Sequence, residues 1–143
     1  MSVELPFAPV DDLVRRNADG LRVGAGAVEA LATAIQERGA ALAVTAAEHA
    51  TADGRKTLMV EDFPDVAPAD RDRVTLPIAP VDRIARLDID DRYRVSMDAR
   101  VALAATLEAD AETIAAGAAT LARHAGRRTV QAEDVRVYRE LCG

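Results

Sequence analysis

The feature that most constrains this chain is that it is written twice. Leu5-Pro6-Phe7-Ala8-Pro9-Val10-Asp11 recurs as Leu76-Pro77-Ile78-Ala79-Pro80-Val81-Asp82 at an offset of 71 residues. Gly54-Arg55-Lys56-Thr57-Leu58 with Glu61-Asp62-Phe63 recurs as Gly126-Arg127-Arg128-Thr129-Val130 with Glu133-Asp134-Val135 at an offset of 72, and Arg22-Val23 matches Arg94-Val95. Blocks that recur in one order mark a duplication. The copies take residues 1–65 and 76–143. The linker between them, residues 66–75, is polar, with Pro64 just before it and Pro68 within it to exclude a continuous helix.

Within each copy the pattern reads short helix, loop, long helix, loop, short helix. Alanine runs through 27–50 and 99–125 and aromatics make up 3% of the chain, a composition suited to long helices in close contact. Val28, Leu31, Ile35, Leu42 and Ala46 recur at helical spacing in the first long segment, as do Leu103, Leu107, Ala111, Ile114, Ala118 and Leu121 in the second. Pro9 and Pro80 fit first helical turns, which puts Asp11, Asp12 and Asp82 where the helix dipole favours acid. Ser96 fits an N-cap, and Gly54 and Gly126 fit the left-handed turn after each long helix. Pro64 and Pro68 cut short the helix that begins near Val60, whereas its counterpart runs from Ala132 to Leu141. A helix of about 27 residues with one apolar stripe cannot bury that stripe alone, so each copy needs another like it. The expectation is an all-α unit in which the two copies clasp about an internal pseudo-twofold axis.

Charge narrows the setting. There are 24 acidic residues against 18 basic ones, and Lys56 is the only lysine. An acidic, lysine-poor surface stays solvated in concentrated electrolyte, which predicts a halophilic source. GC-rich codon usage accounts for the arginine and alanine but not for the excess of acid. Divided after Asp70, the first part carries 6 basic and 12 acidic residues, net −6, and the second 12 of each, net 0. The single cysteine, Cys142, gives no disulfide framework, and with His49 and His124 isolated no metal site or other cofactor is expected. No apolar run approaches the length of a membrane span or secretory signal, so a reducing cytoplasm is the expected location. Asp88-Ile89-Asp90-Asp91 reads as solvated charge. With no nucleophile beside a base and no phosphate-binding glycine loop, an enzyme is not expected.

The Leu-Pro-Phe/Ile-Ala-Pro-Val blocks, the Arg-Val pairs, and Gly-Arg-Lys/Arg-Thr followed by Glu-Asp closely resemble archaeal histones, over nearly the whole chain outside the linker. The segments Leu76 to Val81 and Leu121 to Val130 stand near that family's consensus. The resemblance implies tandem histone folds forming an intrachain handshake pseudo-dimer, as in a doublet histone of a salt-loving archaeon. It places Arg22 and Arg94 at the arginine inserted into the DNA minor groove, steadied by Thr57 and Thr129. Lys56 and Arg128 match a loop residue on phosphate, and Arg15, Arg83 and Arg86 match basic positions on the first helices. Asp12 stands where Arg83 stands in the other copy, and Met59 and Gln131 replace a family lysine, so some phosphate contacts are lost. Arg55 with Asp62 and Arg127 with Asp134 resemble a structural clamp. Leu121, His124 and Asp134 match the residues through which one handshake pair docks on the next. Their counterparts His49, Ala52 and Asp62 lack the histidine–aspartate pair, implying self-association through the second repeat only, a dimer of doublets.

Two functions follow from these residues. The first is a chromosome-associated protein that binds, bends or wraps double-stranded DNA largely without sequence specificity. The second is a histone-fold interaction or transcription-regulatory module with weak or local DNA binding. Net charge weighs for the second, because nonspecific affinity comes mainly from neutralising phosphates and that gain shrinks in molar salt. The Arg-Thr elements retained in both copies weigh for the first.

Overall fold

The computed structural model describes residues 2–142. The first copy forms helix α1 (Phe7–Asn17), a two-residue strand β1 (Arg22–Val23), the long helix α2 (Ala25–Ala52), strand β2 (Thr57–Leu58) and a 3₁₀ turn, Val60–Asp62. The second forms α3 (Ile78–Ala85), β3 (Arg94–Val95), the long helix α4 (Met97–His124), β4 (Thr129–Val130) and α5 (Ala132–Cys142). The third helix of the first copy is reduced to a single turn because Phe63, held extended at φ −84 and ψ 129, precedes a proline that disfavours helix on its N-terminal side.

Helices α1 and α3 begin earlier than the prolines suggest, directly after Pro6 and Pro77. Neither has an acid in its first turn. Asp11, Asp12 and Asp82 thus fall in the second turn, where the dipole acts weakly, and the expectation of acids at the positive helix end is corrected. Asp11 and Asp82 are used otherwise, each pairing one turn along, with Arg15 at 3.0 Å and Arg86 at 3.1 Å.

The long helices are 28 residues each. Ser96 caps α4, its Oγ accepting from the Ala99 amide at 3.1 Å. Both are closed by left-handed glycines, Gly54 at φ +73 and Gly126 at φ +76, after which the Arg55 and Arg127 amides turn back onto the Ala50 and Ala122 carbonyls.

The compact units do not follow the copies. One consists of Gln36–Glu108 with Met1–Glu4, the other of Leu5–Ile35 with Ala109–Gly143, so each takes part of both long helices. The apolar stripe of one copy is thus buried against pieces of the other. In the first unit Leu42, Ala46, Leu58, Val81, Ile84, Val95, Leu103 and Leu107 are buried. Gly39 lets the helices close, since a Cβ there would stand 2.7 Å from Ile84 Cγ2 and 3.0 Å from Leu107 Cδ1. Two buried polar side chains tie down the segments that enter α1 and α3. Gln36 accepts from the Glu4 amide at 2.7 Å and donates to the Ser2 carbonyl at 2.9 Å. Oε1 of Glu108 accepts from the Thr75 amide and hydroxyl and the Leu76 amide, at 2.8, 2.6 and 2.8 Å. The second unit buries Leu13, Val28 and Leu31, and a further cluster of Ala18, Ala27, Ala118, Ala119, Ala122, Val130 and Val135 packs at its strand pairing, with the Tyr138 ring in the space beside Gly117. The small side chains of this cluster let helices approach closely, with dispersion contacts replacing bulk.

Candidate nucleic-acid interface

Two short parallel pairings join the copies, one in each unit: β1 with β4, and β2 with β3. In the first, Arg22 stands opposite Thr129, with the Arg22 amide donating to the Arg128 carbonyl at 2.9 Å and the Gly24 amide to Val130 at 3.0 Å. In the second, Arg94 stands opposite Thr57, with the Arg94 amide on the Lys56 carbonyl at 2.9 Å and the Ser96 amide on Leu58 at 3.0 Å. Each pairing sets an arginine of one copy beside the threonine of the other, next to that copy's basic loop residue. The alternation of a strand does the sorting: Val95, Leu58 and Val130 are buried while Arg22, Arg94, Lys56 and Arg128 are exposed. Among the described residues none of these four basic side chains makes an ion pair.

The loops that carry them are fixed from behind. Arg55 spans both oxygens of Asp62, Nη1 to Oδ2 at 2.7 Å and Nη2 to Oδ1 at 2.6 Å, and also donates to the Thr57 carbonyl at 3.0 Å. Arg127 spans Asp134 likewise at 2.7 and 2.5 Å. Oδ2 of each carboxylate accepts a further amide, from Met59 and from Gln131, both at 2.8 Å. Both carboxylates are buried, at 2% exposure. Hydrogen bonds from Arg55 outweigh burial and hold the Asp62 carboxyl below the usual range. Burial pushes the Asp134 carboxyl up, but the Arg127 and Gln131 hydrogen bonds together overcome it, leaving it low as well. Bidentate pairs of this kind fix position as well as energy.

The other basic positions that the sequence assigns to DNA, Arg15, Arg83 and Arg86, have partners. Arg15 lies on Asp11, and Arg83 reaches Glu4 at 3.0 Å. Arg86 bonds Asp82 and donates to the Tyr93 carbonyl at 3.0 Å. At the far end of α4, Leu121 is half-buried and His124 exposed. Asp134 is already engaged by Arg127, and in the first copy Nδ1 of His49 lies 2.7 Å from the Asp62 carbonyl.

Several supporting residues escape the sequence reading. Arg100 ties the start of α4 to its surroundings, reaching Asp82 at 3.2 Å and the Val95 carbonyl at 3.1 Å. Gln36 and Glu108 could have been found, since they are polar residues at one repeat offset, 72, inside otherwise apolar stripes.

The fold and these paired loops define a chain of two histone folds in tandem. It belongs to the family described as histone-like transcription factor (CBF/NF-Y) and archaeal histone, which matches residues 3–65 and 74–137. The chain is similar to a subunit of the archaeal histone HAN1 of Thermococcus zilligii, 53% identical over 62 residues, a match covering 43% of this chain and 90% of that protein. The crystal structure of the histone from Methanopyrus kandleri is similar at a TM-score of 0.66 and 25% identity, covering 94% of this chain and 92% of that one. The crystal structure of a Thermus thermophilus protein shares the fold at a TM-score of 0.71 and 19% identity, covering 96% of each chain. Among the described residues no helix is long and apolar enough to cross a membrane.

Proposed function

We propose that this chain is a doublet archaeal chromatin protein that binds, bends or wraps double-stranded DNA largely without sequence specificity, associated with the chromosome in the cytoplasm of a halophile. The observation that carries this reading is that Arg22, Arg128, Arg94 and Lys56 stand exposed at the two strand pairings and, among the described residues, without acidic partners, in a chain of net charge −6. In a protein so rich in carboxylates, basic groups kept clear of them are the ones available to phosphate. Arginine beside threonine at each pairing suits insertion into a minor groove without base readout. Arg15 and Arg83 hold exposed ion pairs, worth about 1 kcal/mol or less, that a phosphate can displace. Arg86 would have to leave both Asp82 and the Tyr93 carbonyl, so it supports the loop.

Nuclease digestion of duplex DNA with the purified protein at several potassium concentrations tests this reading. A protected fragment that fades as potassium rises is expected. Unprotected DNA at every concentration would favour the second reading, an interaction or transcription-regulatory module, to which the net charge of −6 lends support.

The same reading includes self-association through the second repeat, giving a dimer of doublets. Leu121 and His124 lie at the end of α4, and α5 leaves Val137 and Leu141 41% and 71% exposed, whereas the first copy has only a 3₁₀ turn in the place of α5. Mass measurement in concentrated salt is expected to give two chains. A ladder of ever longer assemblies on DNA would contradict it.

A further inference from the structure

The two basic clusters are alike in backbone but not in electrical setting. The unit that carries Arg22 and Arg128 holds 8 basic and 9 acidic residues, net −1. The unit that carries Arg94 and Lys56 holds 10 basic and 15 acidic, net −5. The difference reaches the clusters themselves. The second residue of α2, after Arg22, is Gly26, and the first turn of that helix contains no acid. The second residue of α4, after Arg94, is Asp98, an exposed carboxylate in the first turn. Asp88, Asp90 and Asp91 also stand exposed in the loop that leads to Arg94, whereas the loop leading to Arg22 offers Asp19, which lies 3.6 Å from Arg123.

We infer that the two clusters grip DNA unequally, Arg22 with Arg128 holding phosphate harder than Arg94 with Lys56, and that Gly26 and Asp98 set much of the difference. The inference rests on the DNA-binding reading above. A carboxylate within about one Debye length of an incoming phosphate repels it, and even in salt the nearest charges are the least screened. Asp98 follows Arg94 by four residues, while at the matching place in the other copy there is no side chain to oppose the DNA. The arrangement makes the protein lopsided: one cluster stays bound as salt rises while the other lets go first, because the weaker cluster loses its margin sooner.

The experiment exchanges the two residues. Gly26→Asp is sterically open, since a Cβ at Gly26 meets Ala132 Cβ at an ordinary 3.5 Å, and Asp98→Gly restores what the other copy already has. Affinity for a short duplex in potassium buffer is measured for Arg22→Ala and Arg94→Ala, each in the native chain and in the exchanged one. In the native chain Arg22→Ala is expected to weaken binding about tenfold and Arg94→Ala about threefold. In the exchanged chain the gap between the two losses should narrow to within about twofold, because Asp88, Asp90 and Asp91 remain near Arg94. Asp98→Asn, which removes the charge but keeps a side chain of the same size in the first turn, should strengthen native binding by about two- to threefold and guards against a folding defect in the exchange. Equal losses in the native chain, or a gap untouched by the exchange, would overturn the inference alone. A native chain that retards no duplex at any potassium concentration overturns the DNA reading, and this inference with it.

Discussion

Asp134→Ala is expected to destabilise the protein by about 3 kcal/mol, and Asp62→Ala to do the same from the other copy. Each carboxylate is 2% exposed and receives two guanidinium hydrogen bonds and one amide hydrogen bond. Its removal takes the bidentate acceptor from the guanidinium and leaves a backbone amide without a partner, and a lost buried acceptor costs more than the bond it made. By comparison Asp11→Ala, which removes only the exposed pair with Arg15, should change stability by about 0.5 kcal/mol or less. Thermal melts at neutral pH distinguish the two outcomes.

The same carboxylates predict an acid limit. Asp62 and Asp134 both sit below their ordinary range when folded, whereas in the unfolded chain each titrates near the usual value of about 3.9. The folded state therefore binds fewer protons than the unfolded one over that interval. The stability they contribute is complete above about pH 4 and is lost as pH falls toward the folded values. Melts of the native protein should fall away below about pH 4, and those of Asp62→Asn with Asp134→Asn should start lower and fall less.

The second large effect concerns DNA. Arg22→Ala with Arg94→Ala is expected to lower duplex affinity about thirtyfold, or past detection in potassium-rich buffer. Neither side chain has an ion-pair partner within the chain among the described residues, so the melting temperature should move little. That separation of binding from stability distinguishes these residues from Arg55 and Arg127, whose loss would loosen the loops themselves. Retained retardation and nuclease protection in the double variant would remove the basis of the chromatin reading.

Much of the fold is legible in the residues because long helices declare themselves by spacing. Val28, Leu31, Ile35 and Leu42 predict one buried stripe and are all buried, and Ser96, Gly54 and Gly126 mark ends that the structure closes as those residue types require. In α4 the stripe is less complete, with Ile114 and Leu121 only half-buried. The short strands are not legible, because two residues give no period, and their pairing depends on chain brought from the other copy. The same holds for the compact units, whose boundaries at Ile35 and Glu108 fall inside uninterrupted helices. The acids Asp11 and Asp82 mislead because Pro9 and Pro80 sit in the third position of their helices and not the first. The Arg-Thr elements are readable as residues, but that each arginine faces the other copy's threonine emerges only from the parallel register.

The most direct measurement is the dependence of duplex affinity on potassium. Four unpaired basic groups on phosphate predict a slope of log affinity against log potassium of about −3 to −4, at roughly −0.9 per contact. Replacing Arg22 and Arg94 should reduce it by about two. A slope near zero, or one that the double variant leaves unchanged, would contradict the claim that these guanidinium groups hold DNA.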